Sequence, residues 1–459
     1  MARERNHRLA ALIAEIGWSQ AQVANHFVRV ARELGHTELL GVRRSHVSMW
    51  LRGTRPSGHA PVVLAEALSR GVGRPLTVDQ IGLDSQGTPW PQADPWQADT
   101  LSSLTDIGGD SDVRRRQFLS SAVYSVAGLA LPEAAWWQES LSLARRRPSG
   151  RQRITPGDID AIRQATALFQ NLDQRRGGGY ATSTALAFLT EEVTPALRRS
   201  TPSEALRRDL FSAASELVYA IGWACFDSGR HGAAQHFFQL SVKLAAEADD
   251  PALAGHVLRA MSHQALDLGH YRHAVDLAAA SLDRAALTST SSRERALLGV
   301  VHARSLAEVG EHRAAARALI RAEDDLSSAT VDDAEPARVW FFGEASLAHE
   351  TARTLHAMGD LPGAQREFHR SVRTRRSSFR RTHAVTLGYL GELQARQGEI
   401  EAACATWSQA LDTMGGIRSG RARDTVVTMR RTLRTVKGRG IPAVTDLDVR
   451  AAQVLHGVL

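Results

Sequence analysis

A string of small residues recurs five times in the C-terminal half of the chain and limits the fold more than any other feature. The pattern Gly-x-x-x-x-Ala-x-x-x-Φ-x-x-Ala/Ser, with Φ mostly a large apolar residue, starts at Gly229, Gly269, Gly310, Gly359 and Gly398. The copies read Gly229/Ala234/Phe238/Ser241, Gly269/Ala274/Ala278/Ser281, Gly310/Ala315/Leu319/Ala322, Gly359/Ala364/Phe368/Ser371 and Gly398/Ala403/Trp407/Ala410. Successive starts lie 40, 41, 49 and 39 residues apart. Another small residue stands seven positions before each glycine: Gly222, Ser262, Ala303, Ala352 and Gly391. Apolar residues between these marks fall at helical spacing and no stretch sustains period-two alternation, so the expected fold is all-α. Each glycine is placed to close one helix, and the small residues let the next helix lie close against it. Hairpins of this size bury their faces only against one another, which predicts an α-solenoid.

The pattern resembles a tetratricopeptide (TPR) array over residues 205–415, with copies longer than that family's 34-residue unit and mostly without its terminal proline. The resemblance implies a concave surface lined by the first helix of each hairpin. Carried over position by position, the lining falls on Glu216, Tyr219 and Trp223, then His256, Arg259 and His263, then Arg304, then His349 and Arg353, then Glu392 and Arg396. A polar, cationic and partly aromatic groove suits capture of a peptide, protein or small-molecule partner through backbone, carboxylate or phosphate groups. The alternative is a solvated face with ion pairs inside the array. Eight of the 18 histidines lie between His231 and His312, but none has a Cys or carboxylate partner at metal-ligand spacing, so no metal site is expected.

The first 83 residues read differently. Leu9, Leu12, Ile13 and Ile16 form an amphipathic stripe ended by Gly17; Ser19 and Gln22 make a capping box, and Val23, Phe27, Val30 and Leu34 continue a second helix. A third short helix starts near Ser45, with Val47 and Trp50 on its apolar side and Gly53 as its stop. Val62, Val63, Leu64, Ala67 and Leu68 supply a fourth. The strings Trp18-Ser19-Gln20-Ala21-Gln22-Val23-Ala24 and Val47-Ser48-Met49-Trp50-Leu51-Arg52-Gly53-Thr54-Arg55-Pro56 resemble the Cro/CI-like (XRE) helix-turn-helix family. The resemblance implies that Gln20 orients against phosphate, that Arg44, Ser45, Ser48 and Met49 face base edges, and that Arg52 and Arg55 lie near the backbone of double-stranded DNA. Arg44 carries the most weight, because arginine to guanine is the commonest specific major-groove contact. One departure stands out. Ala24 and Val47 are 23 residues apart, so either the second helix is extended or a loop containing Gly35, Gly41 and Arg43 intervenes.

Charge divides the chain further. Residues 1–83 hold eleven Arg against six Asp or Glu, whereas residues 84–113 hold six Asp and no basic residue, together with Pro89, Pro91 and Pro95. That reads as a basic domain followed by an acidic linker. Residues 114–204 are expected as connecting helices and 416–459 as capping helices. The whole chain carries 56 Lys and Arg against 49 Asp and Glu, which permits a nucleic-acid partner without requiring one. Arg115-Arg116-Gln117-Phe118-Leu119 and the apolar Ser120–Leu131 match a twin-arginine export signal, but lie behind a complete candidate domain; a helix docked on the array is the expectation. The glycines of Asp173-Gln174-Arg175-Arg176-Gly177-Gly178-Gly179-Tyr180 have neither a preceding strand nor a following Lys-Ser/Thr, and read as a hinge between helices. Cys225 and Cys404, the only cysteines, fall inside repeat helices where burial is the default.

The layout as a whole is similar to the NsdA-like group of actinobacterial regulators, with an XRE-type N-terminus and a TPR body. It implies a cytoplasmic, nucleoid-associated, sequence-specific transcriptional regulator that works as a homodimer without membrane contact. A TPR scaffold without functional DNA binding is the second expectation. No nucleophile–base motif, nucleotide loop or cofactor signature supports an enzyme.

Overall fold

The computed structural model describes residues 5–33, 36–72, 76–83, 96–108, 118–119, 122, 124–146, 153–283, 290–330, 335–436 and 441–457. Their regular structure is helical, with no strand among them beyond an isolated bridge between Arg153 and Ser200. No helix among them is long and apolar enough to cross a membrane.

Four helices make the N-terminal unit: α1 (His7–Ile16), α2 (Gln20–Glu33), α3 (Arg44–Leu51) and α4 (Ala60–Val72). The capping box forms as expected. Ser19 N–H donates to Gln22 Oε1 at 2.8 Å, and Gln22 N–H donates to Ser19 Oγ at 3.3 Å. Gly17 closes α1 at φ 74°, where only a glycine is unstrained. Leu9, Val23, Phe27, Val47, Leu64 and Leu68 pack into one core, with the rings of Phe27 and Trp50 5.3 Å apart. The long gap before the third helix resolves both ways. α2 extends to Glu33, and a 3₁₀ turn at Thr37–Leu39 then tucks Leu39, Leu40 and Val42 against the core before α3 starts.

The region expected as an acidic linker ends sooner than its composition suggests. Residues 84–95 and 109–113 lie outside the described residues, but α5 (Thr100–Gly108) forms a helix between them. Its aspartate works as a cap, with Asp99 Oδ2 accepting from Ser102 N–H at 2.8 Å, and Leu101, Leu104 and Ile107 bury one face. Trp96 anchors the approach, its indole donating to Ala130 O and its carbonyl accepting from the Trp136 indole, both at 2.8 Å.

The twin-arginine look-alike docks on the array, and its described residues are helical at Phe118 and Leu119. Arg114, Arg115, Arg116 and Gln117 lie outside the described residues. Tyr124–Ala130 form no α-helix and turn through a 3₁₀ turn at Ala127–Leu129. Side chains of the array supply the backbone partners that a helix would have supplied itself. Gln235 accepts from Ser125 N–H at 2.9 Å and donates to Ser125 O at 2.8 Å, while Gln239 donates to Gly128 O at 2.8 Å. On the other side, Val126 N–H donates to the Glu66 carboxylate of α4 at 3.2 Å. The segment is therefore a wedge joining the N-terminal unit to the array.

After α6 (Ala134–Arg146), α7 (Pro156–Arg176) and α8 (Thr182–Phe188), the array follows as five hairpins: α9 (Glu204–Asp227) with α10 (His231–Glu247), α11 (Pro251–Asp267) with α12 (Tyr271–Ser281), α13 (Ser292–Glu308) with α14 (His312–Ser328), α15 (Glu344–Ala357) with α16 (Leu361–Thr374), and α17 (Arg380–Arg396) with α18 (Ile400–Thr413). The recurrent string does what its chemistry requires. Gly229, Gly269, Gly310, Gly359 and Gly398 adopt φ of 76°, 80°, 85°, 86° and 86°. In each copy the N–H of the next residue donates back to the carbonyl five positions earlier, as in Arg230 to Cys225 and Glu399 to Gln394, both at 2.9 Å. In the first and fifth copies the small residue seven places earlier faces the bulky Φ side chain. A Cβ on Gly391 would lie 2.4 Å from the Trp407 indole nitrogen, and one on Gly222 would lie 2.9 Å from Phe238. The capping pair α19 (Gly420–Val436) and α20 (Pro442–Gly457) completes the chain.

Candidate functional site

Two arginine-bearing surfaces compete for attention. The first is on α3. Val47 and Trp50 are fully or nearly buried and fix one side of this helix to the core. The opposite side turns Arg44, Ser45 and Met49 outward, with Ser48 half-buried between them. Arg43 N–H is capped by His46 Nδ1 at 3.1 Å, so His46 is taken up in starting the helix. Arg52 is exposed and folds back to Ser48 O at 3.2 Å. Arg55 is exposed beyond it, and Gln20 is half-buried at the first position of α2. Arg43, exposed just ahead of Arg44, joins this face; its place in the long insertion hid it from a motif reading. Arg43, Arg44 and Arg52 have no carboxylate partner among the described residues. Beside α3, Glu38, His36 and His59 gather with stacked imidazoles 4.1 Å apart.

The second surface is the inner face of the array, and it is not an open groove. Tyr219, His256, Arg259, His263, Arg304 and His349 are all buried, at most 5% exposed. Three features fill the space. One is α7, which bridges the ends of the array: Asp173 accepts from Arg381 of α17 at 2.9 Å, Gln174 accepts from Thr382 at 2.9 Å, and Gln170 accepts from the Trp340 indole at 3.1 Å. Another is the insertion before α15, the cause of the 49-residue spacing, which folds inward and places Arg338 in a two-pronged ion pair with Glu294 at 2.7 and 2.8 Å. The third is a clasp in which Gly179 N–H donates to Arg418 O at 3.0 Å and Arg418 N–H to Arg176 O at 2.6 Å. The glycine triplet is thus a close-contact point more than a hinge. A Cβ on Gly178 would stand 2.2 Å from Ala224 O, and Gly177 adopts φ 84°.

Most of the expected groove residues are therefore one another's partners. Arg304 bonds Asp267 at 2.7 Å and Glu350 at 3.3 Å. Arg381 holds Asp227 at 3.0 Å in addition to Asp173, and Asp227 also accepts from Gly178 N–H at 2.9 Å and Ser419 Oγ at 3.0 Å. His256 lies between Glu294, 2.9 Å from its Nδ1, and Arg259, 3.2 Å from its Nε2. A neutral imidazole that donates from Nδ1 and accepts at Nε2 satisfies both. Burial agrees, pushing His256 down to about 4 and His263 down to about 3. Arg353 packs 4.1 Å over the Tyr389 ring. Only Arg396, paired with Glu392 at 2.8 Å, remains exposed as a groove lining would be. The carriers that sequence reasoning passed over, Asp173, Asp227, Glu294, Arg338 and Arg381, sit at helix ends or in the insertion; the anomalous spacing was the signal for one of them.

Two arginines of the C-terminal helices are likewise structural. In α19, Ala422, Val426, Met429 and Leu433 are buried, Arg421 approaches Asp267 at 3.7 Å and Arg430 bonds Asp448 at 2.7 Å. Cys225 and Cys404 are buried free thiols, Cys225 pushed up to about 12 by burial.

The family model described as the SP15 N-terminal domain matches residues 9–84, from α1 to just past Leu83. No curated protein matches the chain.

Proposed function

We propose that the chain is a sequence-specific regulator of transcription, of the actinobacterial XRE–TPR kind, whose N-terminal unit binds double-stranded DNA through α3. One observation carries the reading. A short helix is locked by Val47 and Trp50 while its outer side presents Arg44 and Met49, with Arg43 and Arg52 at its ends and no acidic partner among the described residues to neutralise them. Arginine exposed at the start of such a helix reaches guanine edges, and arginines at its ends reach phosphates. The array then acts as the body that joins two copies and responds to a partner. Two copies would read half-sites about one helical turn apart. The protein would work in the cytoplasm at the nucleoid.

The reading of the body as an open peptide-binding scaffold has less support, because α7, the insertion and the clasp occupy the inner face. Selection of duplexes from a randomised pool by the full chain tests the proposal. Enrichment of one motif is the expected result, with specificity lost in an Arg44→Ala variant. A pool that stays unenriched would overturn it.

A further inference from the structure

The closed inner face is not completely filled. A cavity of about 70 Å³ remains between α9, α11, α15 and α17, and four guanidinium groups line it: Arg259, Arg375, Arg381 and Arg421. The single lining carboxylate, Glu350, is engaged by Arg304 at 3.3 Å and His263 at 3.7 Å. Arg381 has Asp173 and Asp227, and Arg421 has Asp267. Arg259 and Arg375 have no carboxylate partner among the described residues. Arg259, 2% exposed, bonds only the Tyr219 hydroxyl and His256, and stacks 5.5 Å from the Trp223 ring. Arg375 donates to Ala345 O at 2.9 Å and Ser371 Oγ at 2.8 Å. The Nε atoms of Arg259, Arg375 and Arg381 are buried with no acceptor. Buried cations without counter-charge and donors without acceptors are both costly, and one anion in the cavity would relieve both.

We propose that this cavity is a binding site for a compact oxyanion, a carboxylate or phosphate group, held by Arg259 and Arg375. Its size admits such a group and excludes a peptide. A smaller cavity of about 40 Å³ shares Gln174, Trp223 and Phe341 with it, so an apolar extension on the anion has aromatic walls to lie on. The planar guanidinium suits both carboxylate and phosphate geometry. Arg259 belongs to the second hairpin and Arg375 ends the second helix of the fourth, so the anion ties together hairpins that are not neighbours in sequence. Burial, and next the Arg381 charge, hold Arg375 down to about 10, as expected of a cation awaiting a counter-ion. Any consequence for DNA binding rests on the proposed function; the site itself does not.

Calorimetric titration of the full chain at low, constant ionic strength without chloride tests this, with inorganic phosphate, succinate and phenyl phosphate as probes. At least one should bind saturably with one site per chain, and comparison among them identifies the group. Arg375→Gln should weaken binding tenfold or more while leaving the far-ultraviolet spectrum and the urea midpoint of the unliganded chain unchanged or raised. Arg259→Gln is the second variant should the first fail to fold, and Arg396→Gln, exposed elsewhere, should bind as the parent does. Absence of saturable binding by all three probes, or binding within twofold of the parent in the arginine variants, would overturn the proposal. Because no DNA is present, failure of the duplex selection would leave this result intact.

Discussion

The arginines of α3 and those of the inner face are the same residue put to opposite uses. Arg44 and Arg52 are exposed with no acidic partner among the described residues, while Arg304, Arg338 and Arg381 are buried and each meets one or two carboxylates. The exposed set has little to do with stability and is available to a partner outside the chain. The buried set closes the array, each of these guanidiniums held by carboxylates of the chain itself. A count of positive charge treats the two alike, which is why the high arginine content says so little by itself.

Substitutions can break that comparison, and the largest effect is expected at Arg381. Arg381→Met strands Asp173 and Asp227 in the interior, and loss of one partner of a buried pair costs about 3–5 kcal/mol. Burial already raises the Asp173 carboxyl to about 6 even with Arg381 beside it. The urea midpoint should fall sharply, and hydrogen exchange should quicken in α7 and α17 together; an unchanged midpoint would show that α7 does not depend on the pair. Gly178→Ala puts a methyl into Ala224 O, and forcing such a contact costs about 1–3 kcal/mol. Exchange rates around residues 176–179 and 418–420 read that loss, and a wild-type pattern would contradict the clasp.

On α3 the expectation reverses. Arg44→Ala should leave the midpoint within about 0.5 kcal/mol yet weaken the selected duplex by about 1–3 kcal/mol, roughly ten- to a hundredfold. A destabilised variant would move Arg44 into the structural class. The smallest effect concerns the wedge. Burial raises Glu66 to about 7 although the Arg70 charge opposes it. A carboxyl whose folded value lies above its unfolded one contributes stability at low pH and loses it as pH rises through that value. Between pH 6 and 8 the contact of α4 with residues 124–126 should therefore weaken by about 1 kcal/mol. Exchange protection of Val126 measures this, and Glu66→Gln should flatten the profile.

Periodic features were legible in the sequence because a local rule generates them. Five glycines at left-handed φ, the close approaches at Gly222 and Gly391 and the Ser19–Gln22 box each follow from neighbours within one turn or one hairpin. What escaped was set by distant contacts. Nothing near Asp173 announces Arg381, more than two hundred positions later, and nothing near Tyr124 announces the Gln235 and Gln239 amides that bond the backbone at Ser125 and Gly128. The exposure of the expected groove residues depended on α7 and the insertion, whose docking no periodicity encodes. The acidic stretch misled for a related reason: three apolar residues and one capping aspartate at residues 99–107 outweigh its composition.

The division between reading and holding arginines is tested most directly by the salt dependence of duplex binding, followed by fluorescence anisotropy with a selected site. For the parent chain the logarithm of affinity should fall steeply and linearly with the logarithm of salt, and Arg52→Ala should reduce that slope by about 1. Equal slopes for parent and variant, or no duplex binding at low salt, would contradict the assignment of α3 as the DNA-reading face.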